Sequence, residues 1–282
     1  MIASFLAELT KLARRPATWL VVGVWLTLSL LFGYVFPYFS YRGTPSGPNA
    51  GANLGERVLS EALPAALVPA AIQGLPLFAG ALALLLGVLA TGGEYGWDTV
   101  KILLTMGPGR LSVLAGKLLA LSLVMLLVVC ATFIVDGAAS LLVASITDKP
   151  VHWPPIGALV TGLGAGWLVV GMWCLAGAFL GILVRGTALG VGIGLVWALA
   201  VENLLRIFGS IVEVVDVVQR FMPGTNAGAL AAALGVPVQG QPGGTPGVTD
   251  VVGGTSAALV LAVYLAVFVA ASAVLIRRRD IA

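Results

Sequence analysis

Six stretches of this sequence, roughly residues 17–37, 69–91, 118–144, 156–184, 187–207 and 254–276, are apolar over lengths that few environments tolerate. A helix rises 1.5 Å per residue, so about 20 apolar residues cross the roughly 30 Å hydrocarbon core of a bilayer. The length and continuity of the runs predict helices, because a barrel strand needs only about 10 residues of alternating polarity. The chain as a whole has no polar coat to offer: 59% of its residues are hydrophobic and 10% charged, where a soluble domain carries about 25% charged. The fold class that follows is an all-α integral membrane protein with six transmembrane helices, residues 1–282 forming one transmembrane domain. The first run is long enough to span and lacks a small-residue cleavage site, so it reads as a span and not as a signal peptide.

Orientation follows from where lysine and arginine fall. With the N-terminus in the cytoplasm, ten cations lie inside: Lys11, Arg14, Arg15, Lys101, Arg110, Lys117, Arg185, Arg277, Arg278 and Arg279. Five lie outside: Arg42, Arg57, Lys149, Arg206 and Arg220. Six spans then return the C-terminus to the cytoplasm as well. Only Arg185 and Gly186 divide the fourth and fifth runs, which predicts a tight turn there.

Residues 1–16, MIASFLAELTKLARRP, read as an amphipathic helix. Ile2, Phe5, Leu6, Leu9 and Leu12 recur at three- and four-residue spacing, opposite Ser4, Glu8, Lys11 and Arg15. Such a helix is expected in the inner interface of the membrane, with Lys11, Arg14 and Arg15 near anionic lipid headgroups. A plain flanking anchor is the simpler reading of the same pattern. On the outer side, residues 38–66 are rich in Gly, Pro and Asn and are expected to be irregular. Within the external loop 208–253, Ile211, Val214, Val215, Val218 and Met222 predict a short helix on or in the outer leaflet. AGALAAALG (227–235) predicts another turn or two, and PVQGQPGGTPGV (237–248) a flexible connector.

Few residues can carry chemistry. Cys130 and Cys174 lie inside apolar runs as small hydrophobes, and His152 is the one histidine, so no metal site or histidine-based catalysis is expected. Asp136 is the one acid well inside a span, where a carboxylate costs roughly 2.5–3.5 kcal/mol on insertion scales and must face protein or water. It is read as a structural polar contact or a pathway-lining group. Glu202 and Asn203 stand where the fifth span meets the outer interface, placed to pair with Arg206 one turn on or to meet a transported molecule. Three glycine pairs, Gly162 with Gly166, Gly177 with Gly181 and Gly190 with Gly194, have the spacing of close helix packing, within one subunit or between two. An enzyme is not expected, because membrane-embedded catalysts need clusters of titratable groups that these spans lack. GPGRLSVLAGKLL (107–119) is not a phosphate loop: Leu111 replaces the first glycine, and Leu118 follows the lysine where Ser or Thr belongs.

One segment concentrates charge. GEYGWDTVKILLTMGPGRLSVLAGK (93–117) places Glu94, Asp98, Lys101, Arg110 and Lys117 between the second and third runs, on the cytoplasmic side. It resembles the same region of the permease subunits of ATP-binding-cassette exporters of the second (ABC-2) type. Members carry a Glu after the second span, a small residue and Thr, an apolar run, a Pro-containing turn with Arg, and a Lys opening the third span. The corresponding positions here are Glu94, Asp98–Thr99, Ile102–Leu104, Pro108 with Arg110, and Gly116–Lys117, Asp98 standing where members often have Gly. VENLLRIF (201–208) and RFMPGTNAGAL (220–230) are similar to the end of the fifth span and the external helix region of bacterial members.

The resemblance implies a bacterial plasma-membrane protein working as two permease copies above two separate ABC ATPase subunits. ATP and Mg would belong to those partners, with no cofactor in this chain and no nucleic acid involved. The segment after span two would be a coupling helix seated on the ATPase, with Glu94, Tyr95, Trp97, Asp98, Thr99, Lys101, Leu103 and Leu104 as docking residues. The N-terminal helix, through Phe5, Glu8, Lys11, Arg14 and Arg15, would lie beside it. The cargo, a hydrophobic or amphipathic compound such as a drug, antibiotic or lipid, would leave by alternating access between the subunits, lined by spans two and five. The alternative is a non-transporting membrane anchor or sensor of a partner complex.

Overall fold

The computed structural model describes residues 2–43, 51–96, 109–209, 211–241 and 243–278. Among them the only regular elements are helices. An N-terminal helix, Ile2–Arg14, is separated by Arg15 alone from Pro16, which opens the first span. Six helices are long and apolar enough to cross a membrane: Pro16–Gly43, Pro64–Glu94, Arg110–Ile146, Ile156–Val184, Thr187–Gly209 and Gly254–Arg278. Each predicted run is present. Most helices overshoot it, because their ends carry polar residues that a hydrophobicity reading trims.

Glycine sets the centre of the bundle. The second and fourth spans run against each other so closely that a β-carbon at Gly87 would collide with the Cys174 carbonyl, and one at Gly177 with the Leu84 carbonyl. Thr91 Oγ1 bridges them, 3.0 Å from both the Gly87 and the Ala178 carbonyl oxygens. The other predicted glycines also pack inside the chain: Gly162 against Val68 and Phe133, Gly190 against Val88, Gly194 against Leu84. The turn from the fourth to the fifth span is as tight as its two residues predict, with Arg185 held at a left-handed φ of 54°. Gly92 lies against the backbone of Gly186 in that turn, so the N-terminal helix end of the molecule gathers both of these connections.

The opposite end departs from expectation in two places. Residues 51–61 are a helix (Gly51–Glu61), not irregular. Leu59 and Ala62 are buried there with Tyr34, Ala70 and Val143, an apolar spacing masked by the surrounding Gly, Pro and Asn. The external loop also holds a helix, Pro223–Ala233, longer than the turn or two expected. Its residues are mostly small, and 223–231 are all buried, tucked beside Ile72, Leu75, Ala165 and Val169 of the second and fourth spans. By contrast the helix Glu213–Gln219 leaves Val214 (72% exposed) and Val217 uncovered.

Candidate functional site

Four charged side chains meet where the N-terminal helix crosses the second and third spans. Glu8 and Lys11 come from adjacent turns of that helix and pair with each other. Glu94 comes from the last turns of the second-span helix and Lys117 from the second turn of the third. Lys11 Nζ lies 2.6 Å from Glu94 Oε1, Lys117 Nζ 2.6 Å from the same oxygen and 3.2 Å from Glu8 Oε2. The four charges alternate in sign and sum to zero. Lys117 also donates to the Ala90 carbonyl at 3.2 Å, and Arg15 Nη1 to the Leu89 carbonyl at 3.2 Å. Burial works to lower the Lys11 pKa, but the hydrogen bonds and attraction from Glu8 and Glu94 outweigh it and the net direction is upward.

Sequence and packing explain why the helices meet here. Gly116 has no side chain, and a β-carbon there would come 2.8 Å from the Phe5 nitrogen and the Ser4 Cβ. The N-terminal helix can therefore drop into contact and bury Leu12 in the main core. Glu8, Glu94 and Lys117 are all buried once it does. Removing one partner from such a shielded set leaves an uncompensated buried charge, which costs far more than breaking a surface pair.

The helix buries residues from both expected faces: Leu12 lies in the core with Phe5 and Leu9 packed against it, and Glu8 is buried as well. Glu8 (5% exposed) and half-buried Lys11 face protein, while Ile2 (75%) and Leu6 (55%) face outward. The physical reason is complementarity: Lys117 and Glu94 need opposite charges away from water, and acyl chains solvate Ile2 and Leu6 at no cost. Arg14 remains exposed and Arg15 half-buried, and Phe5 lines a groove with Leu119, Leu126 and Trp167. Glu94 thus faces the cluster, where it meets Lys11 and Lys117. Tyr95 lies in the last turn of the second-span helix, and Trp97, Asp98, Thr99, Lys101, Leu103 and Leu104 lie outside the described residues.

Asp136 is fully buried and accepts from Ser29 Oγ of the first span at 2.9 and 3.1 Å. Glu202 is buried against the amino end of the Pro223–Ala233 helix, so close that a β-carbon at Gly224 would overlap its carboxylate. The N–H groups of a helix start favour a negative charge there. Asn203 makes only local contacts, donating to the Leu199 carbonyl at 2.6 Å and accepting from Arg206 at 3.2 Å. These three are not brought together with the near-end cluster. Sequence reasoning gave Lys117 no role beyond a flanking anchor. The signal that could have found it is a lysine inside an apolar run, which must have an acid within reach.

The described residues thus form a polytopic helical bundle with a buried cluster of four charges at one end and separate buried acids, Asp136 and Glu202, farther along. The sequence model of the ABC-2 family transporter proteins matches residues 4–201, most of the chain, and the chain belongs to that family as a multi-pass permease component. The match takes in the N-terminal helix, the whole ion cluster and Asp136, and stops one residue before Glu202. No curated protein matches the chain.

Proposed function

We propose that this chain is the membrane-spanning subunit of an ATP-driven exporter, paired with a second copy and with two copies of a separate ABC ATPase. ATP and Mg act on that partner. The cargo is a hydrophobic or amphipathic compound moved out of a bacterial cell by alternating access, and both chain termini face the cytoplasm, the side favoured by ten of its fifteen cations.

The observation that carries this reading is the ion cluster. It ties the N-terminal helix to the last turns of the second span and the first turns of the third, the two roots of segment 97–108. A push on that segment by an ATPase reaches both spans together, because a joint of buried opposite charges resists shear more than apolar contacts do. Tyr95, Trp97, Asp98, Thr99, Lys101, Leu103 and Leu104 are assigned to docking, and Glu94 to holding the joint.

The test is co-reconstitution in lipid vesicles with the ATPase and an amphipathic fluorescent dye. ATP-dependent dye movement is expected, falling at least tenfold in Lys117→Met while ATP turnover persists. Wild-type movement in Lys117→Met would remove the joint from the mechanism. No ATP-dependent movement for any cargo would favour the anchor or sensor reading instead.

A further inference from the structure

A cavity of about 270 Å³ lies between the first and second spans, with Glu61 and residues 243–246 completing its lining. Both helices lose their α-helical regularity where they flank it. The first passes through a π-helical stretch at Leu31–Val35. The second breaks at Gln73–Gly74 and continues as a π-helix at Leu75–Ala79. Irregular turns inside spans cost backbone hydrogen-bond geometry and occur often at functional sites. Here they face each other: a β-carbon at Gly33 would lie 3.4 Å from Gln73 Nε2, and Phe32 stacks on Phe78 with ring centroids 5.9 Å apart.

The wall has one chemical character. Trp25 is buried in it, the stacked Phe32 and Phe78 rings form one part of the lining, and residues 243–246 form another. Glu61 stands at the mouth and Gln73 at the helix break. Among the described residues that line it none is cationic. Behind the wall, Ser29 spends its hydroxyl proton on Asp136, so a second carboxylate sits one hydrogen bond from the cavity. Burial raises the Glu61 carboxyl above its ordinary value, with Arg57 one turn earlier pulling the other way. Aromatic faces and carboxylates together attract one kind of molecule.

We propose that this cavity binds a hydrophobic organic cation, a quaternary or protonated amine with its charge between Glu61 and the aromatic faces and its apolar body toward Trp25. As a binding site it stands on the cavity alone. As a station for exported cargo it rests on the permease reading above.

Equilibrium binding of radiolabelled benzyltrimethylammonium to the purified full chain in detergent tests it. Saturable binding is expected, displaced by the unlabelled cation and not by phenylacetate, an aromatic anion of similar size. Glu61→Gln should weaken it about fivefold, and Phe78→Leu, which keeps apolar bulk but removes the π-face, about threefold. Glu61 is exposed, and unchanged melting of both variants shows that the fold is retained. Absence of saturable binding, wild-type affinity in both variants, or equal displacement by phenylacetate would overturn the site. Binding without ATP-driven movement in vesicles would uphold the site and count against the transport reading instead.

Discussion

The third span buries a charge in each half and holds the two by different means. Near its start, Lys117 meets two carboxylates and shares them with Lys11. Nineteen residues later, roughly 28 Å along a helix, Asp136 has only the Ser29 hydroxyl as its hydrogen-bond partner among the described residues. Glu202, in the same far half, rests on a helix amino end. The near end is balanced charge for charge and needs nothing further. In the far half Asp136 is held by a neutral hydroxyl, while Glu202 has the attraction of Arg206 one turn on as well as the helix start. One end is built as a joint of four paired charges, and the other keeps Asp136 as a buried acid whose hydrogen-bond partner is uncharged.

The sharpest way to break that contrast is Lys117→Met. It strands two buried carboxylates with one half-exposed lysine between them, and the loss should be about 3 kcal/mol, read as a lower melting temperature in detergent. Adding Glu94→Leu should recover part of it, since removing both members of a buried pair costs less than removing one. A loss no larger than that of Lys11→Met would mean that Lys117 is not the centre of the joint.

Gly224→Ala tests the far half. A β-carbon there overlaps the Glu202 carboxylate, so the external helix must lift or the fifth span must shift. About 2 kcal/mol of destabilisation is expected, with faster proteolysis of the far loops. Glu202→Ala combined with Gly224→Ala should be milder than the sum of the two changes. Strict additivity would show that the two residues do not compete for one space.

The sequence made the spans legible because hydrophobic length is a local property, and Ile156–Val184 was bounded to the residue. It also placed the tight turn at Arg185–Gly186. The ion cluster was not legible. Its bonds join three separate helices, Lys11 reaching Glu94 across 83 positions and Lys117 reaching Glu8 of the N-terminal helix, and periodicity in the N-terminal helix says which residues share a face but not what that face meets. The length and burial of the Pro223–Ala233 helix, expected only as a turn or two at 227–235, escaped for a related reason: its alanines and glycines look featureless alone, and their meaning is the groove they fit. Asp136 was recognised as an acid needing a partner. That the partner would be Ser29, 107 positions away, depends on how the first and third spans are packed.

A paired charge-neutralising change sharpens the contrast next. Asp136→Asn keeps an acceptor for Ser29 and removes a charge that no cation balances, so stability should change by less than about 1 kcal/mol. Glu94→Gln removes a charge that two lysines share, at a cost of roughly 2 kcal/mol. Melting curves of the two variants side by side decide it. If Asp136→Asn proved the worse, a cation beside Asp136 would be implied and the far half would no longer differ from the near end.

The smallest expected effect is one of pH, and its sign follows from Lys11. The folded protein holds the Lys11 proton more tightly than the ordinary value of 10.5, so the stability this lysine adds is fully present below 10.5 and is lost as pH rises through the higher folded value. Lys11 is about one-third exposed, which screens the interaction and keeps the effect modest. The difference in melting temperature between wild type and Lys11→Met should therefore stay flat to about pH 10 and shrink above it. A difference already gone by pH 9 would mean that Lys11 loses its proton more easily than an isolated lysine, which its two carboxylate neighbours forbid. The near-end cluster would then owe its stability to Lys117 alone.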